Sequence, residues 1–213
     1  MNQVFVPDGF PRQPLQQRAK DRFERVVDGA RELLLESGLS GFSIPELATR
    51  LGYSRATIYN FFPTPYTIFN ELTRRYLTEL EQMLYRGAEG LQQVSWQTGA
   101  RAMAAFAASF YNANPVARLL ILGGPITDES YRAQELMIQR LGHLVQQVFT
   151  QRGIKLPASP PEVSLLAVEI GTTCYRVSFF LHGEITPEYQ EEAGKAMIAY
   201  LSCYAPEPGL SGA

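Results

Sequence analysis

Between residues 43 and 66 the chain gathers side chains suited to the surface of a polyanion. Ser43, Ser54, Thr57, Tyr59, Thr64 and Tyr66 carry hydroxyls that can donate to phosphate oxygens. Arg55 can pair with guanine O6 and N7 and Asn60 with adenine, while the methyls of Ala56 and Thr57 can touch the thymine methyl. This is the chemistry of reading a duplex. A second set is apolar and aromatic: Trp96, Met103, Phe106, Phe110, Tyr111, Leu119, Leu122, Met137, Tyr175 and Phe179. Aromatics and methionine with occasional hydroxyls suit a large apolar ligand, although in any helical protein most such residues are core. Arg176 is a cation within an apolar stretch, placed to pair with Glu169, face solvent or meet an acidic ligand.

Reaction chemistry is poorly supplied. There is no phosphate-binding glycine loop, no dinucleotide-binding glycine run, no HExxH, no CxxC and no Gly-x-Ser-x-Gly elbow. His143 and His182 stand 39 residues apart without a ligand set, so no metal and no cofactor is expected. Cys174 and Cys203 form neither a disulfide framework nor a zinc site and read as buried, reduced thiols.

The elements that must position these groups follow from periodicity. The chain has 213 residues, 46% hydrophobic and 19% charged, enough for a sizeable core. A net charge of −2 gives no whole-chain attraction to nucleic acid, so any such binding is local. From Gln16, residues Phe23, Val26, Val27, Ala30, Leu33 and Leu34 recur at spacings of three and four, and Gly38 stops this helix. Ser43 opens a short helix with Pro45 and Glu46 in its first turn, and Gly52 ends it. Ser54 caps a third, from Arg55 to Phe61 or Phe62. Longer helices are predicted from Tyr66 to about Arg86, over 95–112, from Asp128 to about Arg152, from Pro160-Pro161 to about His182, and from Pro187 to about Tyr204. Pro115 opens a short one through Leu122. No alternating strand pattern is present, so the fold class is all-α: three short helices, then about six longer ones.

Ala48, Gly52 and Ile58 stand at offsets 0, +4 and +10. A helix-turn-helix needs a small residue where its helices touch, a turn residue tolerant of positive φ, and an apolar plug from the second helix. These three supply those parts, with Leu47, Leu51 and Phe61 completing the inner contacts. Arg12, Arg18, Lys20 and Arg22 lie upstream as further cations.

The run from Phe42 to Pro63, preceded by Glu36-Ser37-Gly38 at the end of an amphipathic helix, resembles the DNA-binding domain of the TetR family of bacterial transcriptional regulators. The resemblance covers residues 16–70; beyond that, length and helical layout agree. It implies that Ser43, Arg55, Thr57 and Tyr59 touch DNA. Two positions depart from the family. Phe61 stands where a His is usual, and Pro65 where a Lys usually meets phosphate. Losing that Lys removes one phosphate neutralisation and lowers the salt slope by about 0.9.

The resemblance further implies that the later helices bind a small effector and dimerise. The stretch with Val163, Leu165, Leu166, Val168, Ile170, Val177, Phe179, Phe180 and Leu181, and the one with Ala193, Ala196, Met197, Ile198, Tyr200 and Leu201, are apolar nearly all round. Such helices must be covered on both sides, within the chain or across a two-fold axis. The expected organisation is an N-terminal arm at 1–15, a helix-turn-helix domain at 16–64, a helical ligand-binding and dimerisation domain at 65–205, and a flexible tail at 206–213. The expected function is a cytoplasmic, non-enzymatic repressor, whose partners are a double-stranded DNA operator, a small-molecule effector and a second copy of itself, with no membrane. The alternative is a helical small-molecule binder or enzyme whose helix-turn-helix no longer binds DNA.

Overall fold

The structure, a computed structural model, describes residue 9, residues 11–14 and residues 16–205. The rest of the expected arm and the tail at 206–213 lie outside the described residues. Among those described there is no strand. The helices are α1 (Gln17–Gly41), α2 (Ile44–Leu51), α3 (Arg55–Tyr59), α4 (Pro65–Gly90), α5 (Trp96–Ala113), α6 (Pro115–Ala117), α7 (Asp128–Gln151), α8 (Val163–His182) and α9 (Pro187–Ser202). A π-helical turn, Arg118–Leu122, follows α6 directly. The first helix is not short: it runs from Gln17 until non-helical torsions at Gly38 interrupt it, as expected, before a last turn through Gly41. α8 starts at Val163 rather than at Pro160, because a residue that precedes proline is steered away from helical torsions.

Two compact units emerge. One holds the chain through Tyr76 together with Pro115–Ala133; the other holds Leu77–Asn114 and the chain from Gln134 onward. Residues 115–133 return to the first unit, and α4 and α7 each give residues to both units.

In the first unit the apolar stripe of α1 is fully covered. Phe23, Val26, Val27, Ala30, Leu33 and Leu34 are all buried. Gly29 lets α2 approach, because a β-carbon there would fall 2.9 Å from Leu51 Cδ2. Leu47, Ile58, Phe62, Ile68 and Leu72 are buried in the same unit, and the Phe23 ring stacks on Phe62 with centroids 4.8 Å apart. One buried carboxylate interrupts this apolar interior. Glu71 is 2% exposed and accepts from Arg74 at 2.7 Å and from Arg75 Nε at 2.7 Å. Arg75 also donates twice to Glu24 on α1, at 2.6 and 2.8 Å. The Arg75 hydrogen bond, ahead of any other cause, holds the Glu24 carboxyl below the usual carboxylate range. This chain of charges ties α1 to α4. Residue 9 and residue 12 are held too: Asn70 Nδ2 donates to the Gly9 carbonyl at 2.8 Å, and the Arg12 amide donates to the Phe61 carbonyl at 2.8 Å.

In the second unit α9 packs on both α8 and α5. Gly171 makes room on α8, where a β-carbon would lie 2.6 Å from Met197 Sδ. Gly142 brings the backbone of Leu165 close, 3.1 Å from the same hypothetical atom. Trp96, Phe149, Leu156, Val163, Ala167 and Leu201 form a buried cluster. The cysteines are both free, but Cys203 is exposed rather than buried, because it sits at the C-cap of α9 where the apolar face has ended.

Two glycines have φ of +65°, yet they differ in ψ. Gly52, at ψ 29°, is in the left-handed helical region that Asn tolerates. Gly38, at ψ −171°, is in a region that is essentially glycine-only. A β-carbon would meet nothing within 4 Å at either site, so the cost of substitution is backbone strain alone. Gly52→Asn should therefore lower stability by less than about 1 kcal/mol and Gly38→Asn by about 1–3 kcal/mol. Thermal unfolding of the two variants checks the order; equal losses would contradict the assignment.

Candidate nucleic-acid interface and ligand cavity

The helix-turn-helix is assembled from local hydrogen bonds. Ser43 Oγ accepts from the Glu46 amide at 3.2 Å and begins α2. Gly52 closes it in the left-handed conformation, with the Tyr53 amide donating to the Ala48 carbonyl at 3.0 Å. Ser54 Oγ then accepts from the Thr57 amide at 3.2 Å and begins α3. Ala48 and Ile58 are buried, the small contact and the plug that the turn requires. Arg50 pairs with Glu36 through two hydrogen bonds, bracing α2 against α1. The guanidinium of Arg25 lies 5.6 Å from the centre of the Tyr53 ring.

The outer face of α3 is free. Arg55, Ala56, Tyr59 and Asn60 are exposed, and Thr57 is half-buried. Among the described residues Arg55 makes no ion pair or hydrogen bond, and neither do the side chains of Tyr59 and Asn60. Ser43, Ser54 and Thr64 have a second duty as caps: Thr64 Oγ1 accepts from the Thr67 amide at 3.3 Å at the start of α4. The oxygens of Ser54 and Thr57 lie 2.9 Å apart. Tyr66 is exposed, its ring edge-on to Phe69. Arg12, Arg18, Lys20 and Arg22 are exposed.

Both departures from the family pattern are built into the packing. Phe61 is half-buried and meets Phe23 edge-on at 5.8 Å, so it serves as an apolar wedge against α1. Pro65 is the first residue of α4, where its missing N–H costs nothing.

The second unit contains a cavity of about 120 Å³. That is roughly ten times the space one water needs. Of the residues expected at a ligand site, Trp96, Met103, Tyr111, Met137 and Tyr175 line it. Phe106, Phe110, Leu119, Leu122, Arg176 and Phe179 do not. Phe106 and Arg176 are exposed, and Leu119 and Leu122 belong to the first unit. Sequence reasoning missed Leu80, Leu84, Ala104, Ala107, Leu144 and Arg152. The signal that would have found them is a run of small residues on α5. Gly99, Ala100, Ala104 and Ala107 recur at helical spacing and leave room where larger side chains would close it.

The cavity has few polar groups. Tyr175 donates to the Ala104 carbonyl at 2.8 Å, and Thr172 to the Val168 carbonyl at 3.0 Å. The Tyr111 hydroxyl makes no hydrogen bond among the described residues. Burial pushes both phenols well above the usual tyrosine range, so both stay protonated. Arg152 ends the lining, its guanidinium donating to the carbonyls of Val148, Leu91 and Val94 at 3.1–3.2 Å.

Residues 26–72 match the family model of bacterial regulatory proteins of the tetR family. No curated protein matches the chain. Among solved structures, one from Mesorhizobium loti aligns with a TM-score of 0.66 at 18% identity, over 89% of this chain and 99% of that one. A TetR-family transcriptional regulator from Streptomyces coelicolor aligns at 0.64 and 21%, over 86% and 99%. SmeT, the repressor of the Stenotrophomonas maltophilia multidrug efflux pump SmeDEF, aligns at 0.63 and 16%, over 85% and 89%. These likenesses establish a shared fold.

The free face of α3 has a quantitative consequence. Arg55→Ala should weaken binding to a target duplex by about 1–3 kcal/mol and relax selectivity at one base position per half-site. Tyr59→Phe should instead weaken all sequences by a similar factor, as loss of a phosphate contact does. Titration of both variants against a panel of single-base operator changes separates the two behaviours. An Arg55→Ala protein that discriminates like the parent would overturn the assignment of α3.

Proposed function

We propose that this chain, whose residues 26–72 form a TetR-family DNA-binding domain, is a transcriptional repressor that reads a palindromic operator as a homodimer and is released by a small, largely apolar effector. The observation that carries the reading is the outer face of α3 and its C-cap, where the side chains of Arg55, Tyr59 and Asn60 stand exposed with no hydrogen bond or ion pair among the described residues, on a helix fixed from behind by Ile58. A guanidinium held on a rigid element and left unpaired is what direct readout of guanine needs. Ser43, Ser54, Thr57, Thr64 and Tyr66 surround it with hydroxyls for phosphate, and Ala56 offers a methyl for thymine. A protein that contacts DNA in this way acts in the cytoplasm, without membrane insertion.

Dimerisation is supported by the surface of α8. Phe180 is 87% exposed, and Val177 and Leu181 beside it are exposed as well. By length and hydropathy α8 would pass for a membrane span, and it also packs on α9, which fits an apolar helix with one face against its own chain and one against a partner. Covering such a patch in a second copy removes it from water. The interface should exceed the roughly 1,000 Å² floor of a biological contact. Light scattering at micromolar concentration should give about twice the chain mass of 23.8 kDa. A monomer would count decisively against this part of the reading. Phe180→Glu should shift the population toward monomer and, with it, weaken operator binding.

Release follows from linkage. Two recognition helices that enter successive major grooves must lie roughly 34–36 Å apart. An effector in the second unit relieves repression only if it binds one spacing better than the other. α4 and α7 are helices that each contribute residues to both units, which makes them the elements to carry the change. A coupling of about 1–3 kcal/mol means that effector weakens operator binding roughly 5–150-fold, and operator weakens effector binding by the same factor. A mobility-shift assay on the DNA flanking the gene tests the first half of the reading. Effector affinity measured with and without operator, at fixed salt, tests the second; equal affinities would remove the effector while leaving the DNA-binding function in place.

A further inference from the structure

The cavity is large enough to hold a ligand, and its chemistry is narrow. Its lining contains no Asp or Glu. The one formal charge in it is the Arg152 guanidinium, and among the described residues no carboxylate pairs with Arg152. A cation placed here would lose its hydration with nothing negative to replace it, beside a charge of its own sign. Two lining residues keep a donor that is unpaired among the described residues: Trp96, whose Nε1–H is buried, and Tyr111. Tyr175 and Thr172 have already given their protons to main-chain carbonyls. Tyr111, 2% exposed, lines the cavity with a hydroxyl that is protonated and unpartnered among the described residues. A buried donor without an acceptor is costly, and a ligand oxygen would relieve that cost.

We infer that the cavity selects an uncharged or anionic lipophile bearing one hydrogen-bond-acceptor oxygen, received by the Tyr111 hydroxyl, and that it rejects organic cations. This rests on reading the cavity as the effector site, and it names the class of effector. Selectivity comes from two separate features: absence of carboxylates among the lining residues sets the charge rule, and Tyr111 sets the polar register. The aliphatic remainder, from Leu80 and Leu84 on α4 to Leu144 and Val148 on α7, accepts any chain that fits.

The chain carries its own reporter. Trp96 is its sole tryptophan and lines the cavity, so its emission should respond to occupancy. Titration of the full chain without DNA, with decan-2-one, its hydrocarbon isostere 2-methyldec-1-ene and n-decylammonium as probes, tests the inference. The ketone should bind, and decylammonium should bind at least about tenfold more weakly. Tyr111→Phe should weaken the ketone roughly 2- to 10-fold, the value of one hydrogen bond, and leave the alkene unchanged. Met103→Glu, which adds a carboxylate at a half-buried lining position, should raise decylammonium affinity. Thermal melts of each variant confirm that it is folded. The inference is overturned if the ketone fails to bind, if decylammonium matches it, or if Tyr111→Phe treats ketone and alkene alike. None of these results bears on operator binding, which is measured separately, so the regulator reading stands or falls on its own assay.

Discussion

The apolar stripe of α1, from Phe23 to Leu34, has to be kept from water, and the first unit is organised by what covers it. α2 approaches over Gly29, α3 sends Ile58 inward, and the Phe61–Phe62 pair closes on Phe23. Each covering residue fixes an element whose other face is then fixed too. With Ile58 turned inward, Ala56 and Asn60, two residues to either side and about 200° round a helix of 3.6 residues per turn, must face outward, and the exposed Arg55 and Tyr59 flank them. The exposed face of α3 is thus a by-product of core formation. Glu71 adds direction to a contact that apolar packing alone leaves free to slide, since its oxygens accept from Arg74 and Arg75 at fixed positions while Arg75 reaches Glu24.

The second unit solves the opposite problem. Its helices are apolar enough to collapse fully, yet α5 presents glycine and alanine where a core would place leucine. Small side chains on one helix and close approaches at Gly142 and Gly171 leave space bounded by rigid walls. Such space weakens packing, because the lining atoms lose dispersion contacts on one side.

Much of the first unit was legible in the residues themselves. Ala48, Gly52 and Ile58 work through contacts only a few residues apart in sequence, so spacing alone specifies their geometry, and the caps at Ser43 and Ser54 stand where composition placed them. The cavity was legible only in part. Periodicity tells which faces are apolar, and Trp96, Tyr111, Met137 and Tyr175 lie on such faces. It does not tell which apolar neighbours fail to fill the gap between helices, so Phe110 and Phe179 looked equal to Tyr111 and lie elsewhere. The return of residues 115–133 to the first unit was beyond reach for the same reason, since it depends on contacts between segments far apart in sequence. Exposure of Phe180 was also unreadable, because an apolar helix gives no sign of which side its own chain leaves bare.

Residues 91–95 form a short turn whose carbonyls at Leu91 and Val94 are gathered by one guanidinium, that of Arg152 at the end of α7. A planar fork with several N–H groups can serve several carbonyls at once, which an ammonium cannot do at the same reach. The guanidinium adds to the backbone hydrogen bonds of the corner, in which the Leu91 amide donates to the Ala88 carbonyl and the Val94 amide to the Leu91 carbonyl. Since Arg152 also borders the cavity, the side chain that gathers the turn is at the same time part of the cavity wall.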